Sequence, residues 1–470
     1  MKFLEFLKLC FETISPNSIF INNWHVKVIA DRLDAALTGK INYLLINMPP
    51  RSMKSICISI AWPAWILGLN PSSKIIVASY SQILSEKLSL DTRYILQSKW
   101  YQKLFPYVVL SNDQNTKSKF QTTQYGYRFA TSIGGSITGE GGNILILDDP
   151  MNLVQSASKI YRQKVCHWFD QSFITRMNDR KNGIIVIVMH RLHNEDLTYH
   201  VLSKPNHKKW HHLSIPVLSE KKTKIYSLML PWVIKKNQRK RNILYVRQEG
   251  EFLYKRKNKR YIEDLKFDLG TYAFSAQYQQ RPLNLSHGII KYKWIQRYKY
   301  DYRYESCIIQ SWDTATSLNK SSNFSVCTTW SQVKGSFFLL DVYRAKIEYP
   351  LLKKQVVQLA EYWHPNVILI EGKASGIQLI QELSNTTLSI IQVNPVDSKI
   401  IRLYKVIPII ESRRVFLPYN AVWLDDFEQE ILSFPNTCYD DQLDSVTQYL
   451  YWASNVENNM QRCIQQMRKL

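Results

Sequence analysis

Several things are scarce in this chain. Only 15 of its 470 residues are glycine, and 7 are cysteine. The cysteines form no C-x-x-C pair and follow no regular spacing, which argues against a zinc ribbon and against a disulfide framework. Reduced thiols in an intracellular compartment fit that usage. No apolar run approaches the roughly 18 residues that a membrane-spanning helix needs. The opening MKFLEFLKLCFETISP mixes acids and bases into its apolar pattern, so it reads as an amphipathic helix and not as a signal peptide. A soluble intracellular protein, without membrane association, is the expectation. No internal repeat is apparent. Acids are also short: 38 Asp and Glu stand against 61 Lys and Arg, giving a net charge of +23 and a pI near 9.5. That balance favours a polyanionic partner, nucleic acid above all. AT-rich coding would by itself enrich Lys, Ile, Asn and Tyr, but the charge is clustered, which favours a functional reading.

Core material is ample: 45% of residues are hydrophobic, with 13 Trp, 28 Tyr and 18 Phe. A chain of this length is expected to divide into two or three domains. Residues 1–40 read as helical, with apolar positions at helical spacing in WHVKVIADRLDAAL and Gly39 as a stop. Between about 41 and 200 the runs YLLINM, KIIVASY, NILILDD and GIIVIVM alternate with amphipathic stretches. Such runs predict an α/β domain whose parallel sheet is covered by helices on both faces. Residues 201–300 read as a linker subdomain. Its segment 221–260 carries a dense Lys/Arg run from Lys221 to Arg260, interleaved with Trp232, Tyr245 and Tyr254. A solvated charged connection explains that run as well as a DNA contact does. Over residues 301–455, CIIQSWD, FSVCTTW and FFLLDVYR predict an antiparallel meander, followed by a helix and the strand VILIE. That order is the pattern of a ribonuclease-H-like mixed sheet. Residues 456–470 are left as a C-terminal tail.

Three acidic clusters after residue 300 each follow an apolar run: IIQSWDTA, VILIEGKASG and YDDQLDS. They set Asp313, Glu371, Asp441 and Asp444 where strand ends gather carboxylates, with Asp440 competing with Asp441. Two-metal phosphodiester cleavage needs several carboxylates converging on cations roughly 4 Å apart. Mg²⁺ and Mn²⁺ prefer such oxygen ligands. Lys373 is a candidate for neutralising a scissile phosphate, or simply a surface residue. Asp397 and Glu411 follow no long buried run and are left out.

The stretch YLLINMPPRSMKSICISIAW has the layout strand, tight loop, Lys54-Ser55, helix. A P-loop holds phosphates on backbone N–H groups and a helix N-terminus, with the lysine on the β/γ oxygens and the hydroxyl on Mg²⁺. Pro50, Arg51, Ser52, Met53, Lys54 and Ser55 are the candidate cradle, but both glycine positions of the usual template are methionine, Met48 and Met53. A surface turn with a chance Lys-Ser is the alternative. NILILDDP then supplies a Walker-B-like strand end: Asp148 suits the Mg²⁺ shell and Asp149 could orient the attacking water. Asp-Asp-Pro is also good turn chemistry. His190, ending GIIVIVMH, stands where a polar residue could sense the γ-phosphate. His190 and His193 read as structural or sensing rather than as metal ligands.

The ordered set MPPRSMKS, ASYSQ, GGSITGEGGNILILDDP, MHRLHNEDL, AQYQQRP, SWDTA, LIEGKASG, ESRRVFLP and DDQLDS, over roughly residues 20–455, resembles the large subunit of tailed-phage terminases. The resemblance implies a P-loop packaging ATPase fused to a ribonuclease-H-like nuclease. It gives Lys54 and Ser55 the Walker A roles, makes Arg51 a transition-state arginine, Asp148 the metal residue and Asp149 the catalytic carboxylate. His190 lies where the family's coupling motif often carries Gln. Asp313, Glu371 and Asp441 carry over as nuclease metal ligands, with Asp444 as a fourth. ATP, Mg²⁺ (or Mn²⁺ at the nuclease), double-stranded DNA, a portal protein, a small terminase subunit and a ring of copies during packaging are implied as cofactors and partners. The implied division is an ATPase domain at 1–200, a basic linker at 201–300, a nuclease at 301–455 and a tail at 456–470. Competing readings are a metal-dependent nuclease with a degenerate nucleotide site, a helicase-like remodeller with structural acids, and a non-enzymatic DNA-binding protein.

Overall fold

The computed structural model describes all residues except 231–232, 236–237, 241, 255–258, 284–287, 300–306, 316–323, 374, 436, 438 and 468–470. Of the basic run, Trp232, Lys236, Arg241, Lys255, Arg256 and Lys257 lie outside the described residues. The chain divides into two compact units. One comprises Met1–Leu265 and Tyr272–Leu283; the other comprises Lys266–Thr271 and Asn284–Leu470.

The first unit is built on β1 (Tyr43–Asn47), β2 (Lys74–Ser79), β3 (Leu110–Asn115), β4 (Lys119–Thr122), β5 (Tyr127–Ser132), β6 (Ile144–Asp148), β7 (Ile184–Met189) and β8 (Trp210–Ser214). They form one eight-stranded sheet in the order β3-β4-β5-β2-β6-β7-β1-β8. From β5 to β8 every pairing is parallel. β6 and β7 are buried at every position, as a strand covered on both faces must be. One cluster of apolar side chains packs around Leu44, Ile46, Ile75, Val77, Ile146 and Val188, and a second around their sheet neighbours Leu45, Ile76, Leu147 and Ile187. Successive residues of one strand point to opposite faces, so these are the two sides of the sheet.

The wholly parallel sheet expected from the sequence needs correcting at one edge, where β3 and β4 pair antiparallel with each other and β4 with β5. LSNDQN is polar and partly exposed, and KFQT holds a single apolar side chain, so neither carries an apolar run for periodicity to detect. The opposite edge, β8, reads WHHLS and lies beyond residue 200.

The amphipathic N-terminus is a helix, Phe3–Ile14. Phe6 is fully buried and sits against the rings of Trp65, Trp100, Tyr101 and Phe105 at 5.0–6.2 Å between centroids. The second helix, Trp24–Leu37, begins after Asn23, whose side chain accepts the first backbone N–H, and is followed by Gly39 at φ +71°. That left-handed φ is what a glycine past a helix end supplies. Two small antiparallel pairs complete the unit: β9 (Thr223–Tyr226) with β12 (Ile243–Arg247), and β10 (Val233–Lys235) with β11 (Gln238–Lys240).

The second unit holds β13 (Gln296–Tyr298), β14 (Cys307–Asp313), β15 (Ser325–Val333), β16 (Ser336–Ala345), β17 (Val367–Glu371), β18 (Ile390–Val393) and β19 (Val415–Pro418). Their order is β13-β19-β16-β15-β14-β17-β18. β14, β15 and β16 form the expected antiparallel meander, and β17 runs parallel beside β14. The helix Asp441–Met467 lies on this sheet through a stack of Trp330 on Tyr449, 4.7 Å between centroids, and through a polar seam. In that seam Ser311 Oγ donates to Ser445 O at 2.8 Å, and Gln448 Nε2 donates to Ser311 Oγ at 3.0 Å. Buried polar groups need such partners, so the seam fixes which residues of β14 face the start of this helix. Among the described residues no helix is long and apolar enough to cross a membrane.

Candidate nucleotide site and carboxylate cluster

In the first unit, the register aligns Asn47 with Met189 and Asp148 with Val188, so β1, β6 and β7 end at one edge of the sheet. Loops leaving the carboxyl ends of parallel strands beside a change of strand order are where open α/β sheets place ligands. Pro50–Ser55, Asp148-Asp149 and His190 all emerge there. The loop after β1 turns through two left-handed residues, Arg51 at φ +56° and Met53 at φ +64°. Side chains with a Cβ rarely adopt that conformation, and it costs of the order of 1 kcal/mol or more per residue. The template glycine positions therefore have different fates. Met53 keeps a glycine-like backbone, whereas Met48 is a fully buried core residue. Ser52 is buried and donates to Pro49 O at 2.7 Å, bracing the turn. A π-helical turn, Ile56–Ala61, follows and runs into the helix Trp62–Leu69.

Lys54 Nζ bonds Asp149 Oδ2. Ser55 Oγ donates to Asp148 Oδ1 at 3.1 Å, and Ser59 Oγ donates to Asp148 Oδ2 at 2.6 Å. His190 approaches Asp149 Oδ1 twice, through its backbone N–H at 3.2 Å and through Nδ1 at 3.1 Å. Asp149 itself is left-handed, φ +42°, and its own N–H donates to Val188 O at 2.8 Å. Burial pushes the Asp148 carboxyl up to about 6, with the neighbouring Asp149 charge adding to it. For Asp149, burial acts in the same direction but is overcome by the Lys54 ammonium and by His190, which hold it well below the usual carboxylate range. Burial likewise opposes the Lys54 charge, yet Asp149 and Asp148 keep its pKa above the ordinary lysine value. One carboxylate is thus fixed as an anion and its neighbour is poised to take a proton. His193 does not join them; its Nδ1 accepts the Glu195 N–H at 3.0 Å.

Beside this loop lies a cavity of about 650 Å³ that sequence reasoning missed, lined by Ile21, Trp24, His25, Arg51, Met53 and Tyr254 among others. Trp24 stacks on Tyr245 at 4.6 Å with 2° between planes, and Tyr254 Oη donates to Arg51 O at 2.9 Å. Burial lowers His25 to about 4, so its imidazole is neutral. The signal was the aromatic start of WHVKVIADRLDAAL, which helical periodicity alone treats as core.

In the second unit, β14 ends in Asp313 and β17 in Glu371, and Trp312 pairs with Ile370 just before them. The two carboxyls act on each other's ionisation. Burial first, and then Glu371, raises Asp313 well above its ordinary value, and the Asp444 and Asp441 charges add to the effect. Burial also opposes the Glu371 charge, but Asp313, Lys373 and Arg402 bring its pKa below the usual value. Lys373 Nζ lies 2.6 Å from Glu371 Oε1. Gly376 is needed here: a Cβ would stand 2.0 Å from Glu371 O, so only glycine lets the helix Ser375–Leu383 start this close to the strand end. Asp441 opens the helix Asp441–Met467 and accepts the Phe324 N–H at 3.0 Å. Burial raises both Asp441 and Asp444, the latter to about 6. Asp397 and Glu411 are engaged elsewhere, with Lys405 and Thr271.

Four buried or half-buried carboxylates on two strand ends and one helix start are the donor chemistry of a hard divalent cation. Their arrangement is not that of a formed ion site. Among the described residues no three His, Cys, Asp or Glu side chains are grouped to hold a metal. Two cations missed by sequence reasoning stand at its helix side. Lys399 Nζ lies 2.5 Å from Asp440 Oδ1 and 2.7 Å from Asp444 Oδ2, and Arg402 Nη2 lies 2.7 Å from Asp444 Oδ1. Both sit on the helix Lys399–Glu411, at the i, i+3 spacing that shares a helix face.

Residues 310–451 match the family of the terminase RNaseH-like domain. The ribonuclease-H-like expectation for this unit therefore holds, as does the resemblance to terminases over that span. No curated protein matches the chain. Among solved structures, the chain is similar to the large terminase of a thermophilic bacteriophage, at 11% identity over 89% of this chain and 98% of that one, with a TM-score of 0.46. It is also similar to the large terminase of bacteriophage HK97, at 11% identity over 89% and 90%, TM-score 0.37. A third likeness is to the large terminase nuclease of the thermophilic phage G20c with bound magnesium, at 14% identity over 34% and 93%, TM-score 0.28.

Proposed function

We propose that this chain, a terminase homologue through residues 310–451, is the large subunit of a tailed-phage terminase. In this reading it drives double-stranded DNA into a procapsid by ATP hydrolysis and cuts concatemeric DNA endonucleolytically. The observation that carries the reading is that, within the span matching that family, Asp313 and Glu371 end two neighbouring strands and feel the charges of Asp441 and Asp444 at the start of one helix.

The ATPase half of the reading rests on the loop between β1 and its helix. ATP phosphates fit the turn Pro50–Ser55, where Lys54 would exchange Asp149 for the β/γ oxygens and Arg51 would face the transferring phosphoryl group. Asp149, then released from Lys54 but still hydrogen-bonded by His190, is an ionised carboxylate able to orient the attacking water. His190 thereby links the phosphate site to the end of β7. Ser55 and Asp148 would hold Mg²⁺, which supplies charge neutralisation on the phosphates. The apolar cavity beside Arg51 and Met53 suits the base. A decayed nucleotide site is the weaker reading, because Met53 keeps the left-handed backbone and the Lys54, Ser55, Asp148 and Asp149 contacts are all made.

For the nuclease half, Asp313, Glu371, Asp441 and Asp444 are the residues that would hold Mg²⁺ or Mn²⁺, and no catalytic step is derived from their present arrangement. The basic segment 221–260 is a candidate for sequence-independent phosphate contacts, which would be strongly salt-dependent. A portal protein, a small subunit and a ring of copies in the host cytoplasm belong to the same proposal.

The test is plasmid cleavage by the full chain. Supercoiled DNA is expected to be nicked and linearised with Mg²⁺ or Mn²⁺, and Asp313→Asn is expected to lose this. Cleavage that survives in Asp313→Asn, or that ignores chelation, would remove the nuclease assignment.

A further inference from the structure

The carboxylate cluster and the absence of a formed ion site in it belong together. Asp444 is only 4% exposed, and both of its oxygens are taken: Oδ2 by Lys399 and Oδ1 by Arg402. Lys399 also reaches Asp440. A metal ion approaching Asp444 therefore meets a cationic partner already on each of its oxygens. The two basic residues are not equivalent. Lys399 is 34% exposed at the end of a four-carbon stem, and its ammonium is a point charge that can swing to solvent. Arg402 is 12% exposed, its fork is fixed on one Asp444 oxygen, and its charge also acts on Glu371. A buried carboxylate is strongly destabilised when it loses every partner.

We propose that Lys399 is a built-in counter-ion that occupies Asp440 and Asp444 until a divalent metal displaces it, while Arg402 is a positioning residue that keeps Asp444 aimed into the cluster. The inference rests on the nuclease reading above. Lys399 thus competes with the metal and Arg402 assists it, so removing them has effects of opposite sign. When displaced, the Lys399 ammonium is left beside a site that takes a phosphodiester, which suits it to contact the DNA backbone. That would couple metal entry to substrate contact.

The experiment is Mn²⁺ binding to the full chain, measured by titration calorimetry and by the paramagnetic signal of free Mn²⁺, without DNA and without turnover. Lys399→Gln is expected to bind Mn²⁺ about tenfold more tightly than wild type, as expected when a charge-assisted partner competing for the same oxygens is removed. Lys399→Arg, which keeps the competing charge, should stay near wild type. Arg402→Gln should bind severalfold more weakly, and circular dichroism separates that loss from unfolding. Unchanged or weaker Mn²⁺ binding in Lys399→Gln, with wild type binding normally, would overturn the counter-ion proposal and leave the nuclease reading standing. No Mn²⁺ uptake by wild type, Lys399→Gln or Asp313→Asn would instead remove the metal reading on which the proposal rests.

Discussion

Lys54, from the loop after β1, is bonded to Asp149, the residue that follows β6, while its sequence neighbour Ser55 is bonded to Asp148. Two adjacent residues of the loop are thus matched to two adjacent residues of a strand end. This pairing keeps charged groups buried before any phosphate arrives. Removing one partner leaves the other buried and uncompensated, which typically costs about 3–5 kcal/mol. Lys54→Ala should therefore lower the melting temperature as well as abolish ADP binding. Differential scanning calorimetry and fluorescent-ADP titration check the two effects separately. A variant that keeps wild-type stability would show that the pair is not formed in solution.

Met53 offers a test of the loop backbone. Replacing it with Ala or with Gly removes the same packing, so their difference reports φ +64°. Glycine normally loses to alanine through unfolded-chain entropy. Here Met53→Gly should be more stable than Met53→Ala by about 1 kcal/mol, because it alone is unstrained in the left-handed region. Chemical denaturation of the two variants measures this. Equal stability, or alanine the more stable, would count against a P-loop-like turn.

These two residues also show what the sequence could and could not reveal. Asp148 and Asp149 were legible because a continuous apolar run ended in acids, and the same was true of Asp313 and Glu371. The four central strands of the first sheet were legible for the same reason. Leu110–Asn115 and Lys119–Thr122 were not, since these short, mostly polar strands are held by antiparallel backbone pairing and leave no apolar run to read. Lys399 and Arg402 were illegible for a different reason. KIIRLYK reads as an ordinary amphipathic helix, and only the tertiary fold shows that its basic face meets Asp440 and Asp444. Trp24 and His25 were likewise absorbed into a core helix, because a cavity wall and a core have the same composition.

Asp148 gives a pH prediction in chelator, where no metal competes. Its folded pKa is raised to about 6 from 3.8, so its contribution to stability is present below the unfolded value and is lost as pH rises through 6. A shift of that size is worth up to about 3 kcal/mol. Asp148→Asn should therefore be more stable than wild type at pH 7, with the gap closing as pH falls below about 4. Asp149 has the opposite sign. Its pKa is depressed, so its stabilisation holds above the unfolded value and disappears as pH falls below it. Urea titrations at pH 7 and pH 4 give the sign for Asp148, and extending them to about pH 2.5 gives that for Asp149. A gap between Asp148→Asn and wild type that does not depend on pH would contradict the assignment.

The hydroxyl of Tyr254 tethers Arg51 by its carbonyl at 2.9 Å. Tyr254→Phe keeps the ring on the cavity wall and deletes only this tether. A lost hydrogen bond of that kind is worth about 1 kcal/mol, or roughly a fivefold effect. The loss should appear as a higher KM for ATP or a lower kcat, with little change in melting temperature. Unaltered kinetics would detach Arg51 from the reacting phosphate.

The central claim is a DNA-driven ATPase in the same chain as the domain that matches the terminase RNaseH-like family. The measurement that tests it most directly is ATP hydrolysis by the purified full chain, with and without double-stranded DNA, beside Lys54→Ala. The account predicts turnover that rises with DNA and vanishes in Lys54→Ala. Hydrolysis equal in wild type and Lys54→Ala, with DNA present, would contradict it.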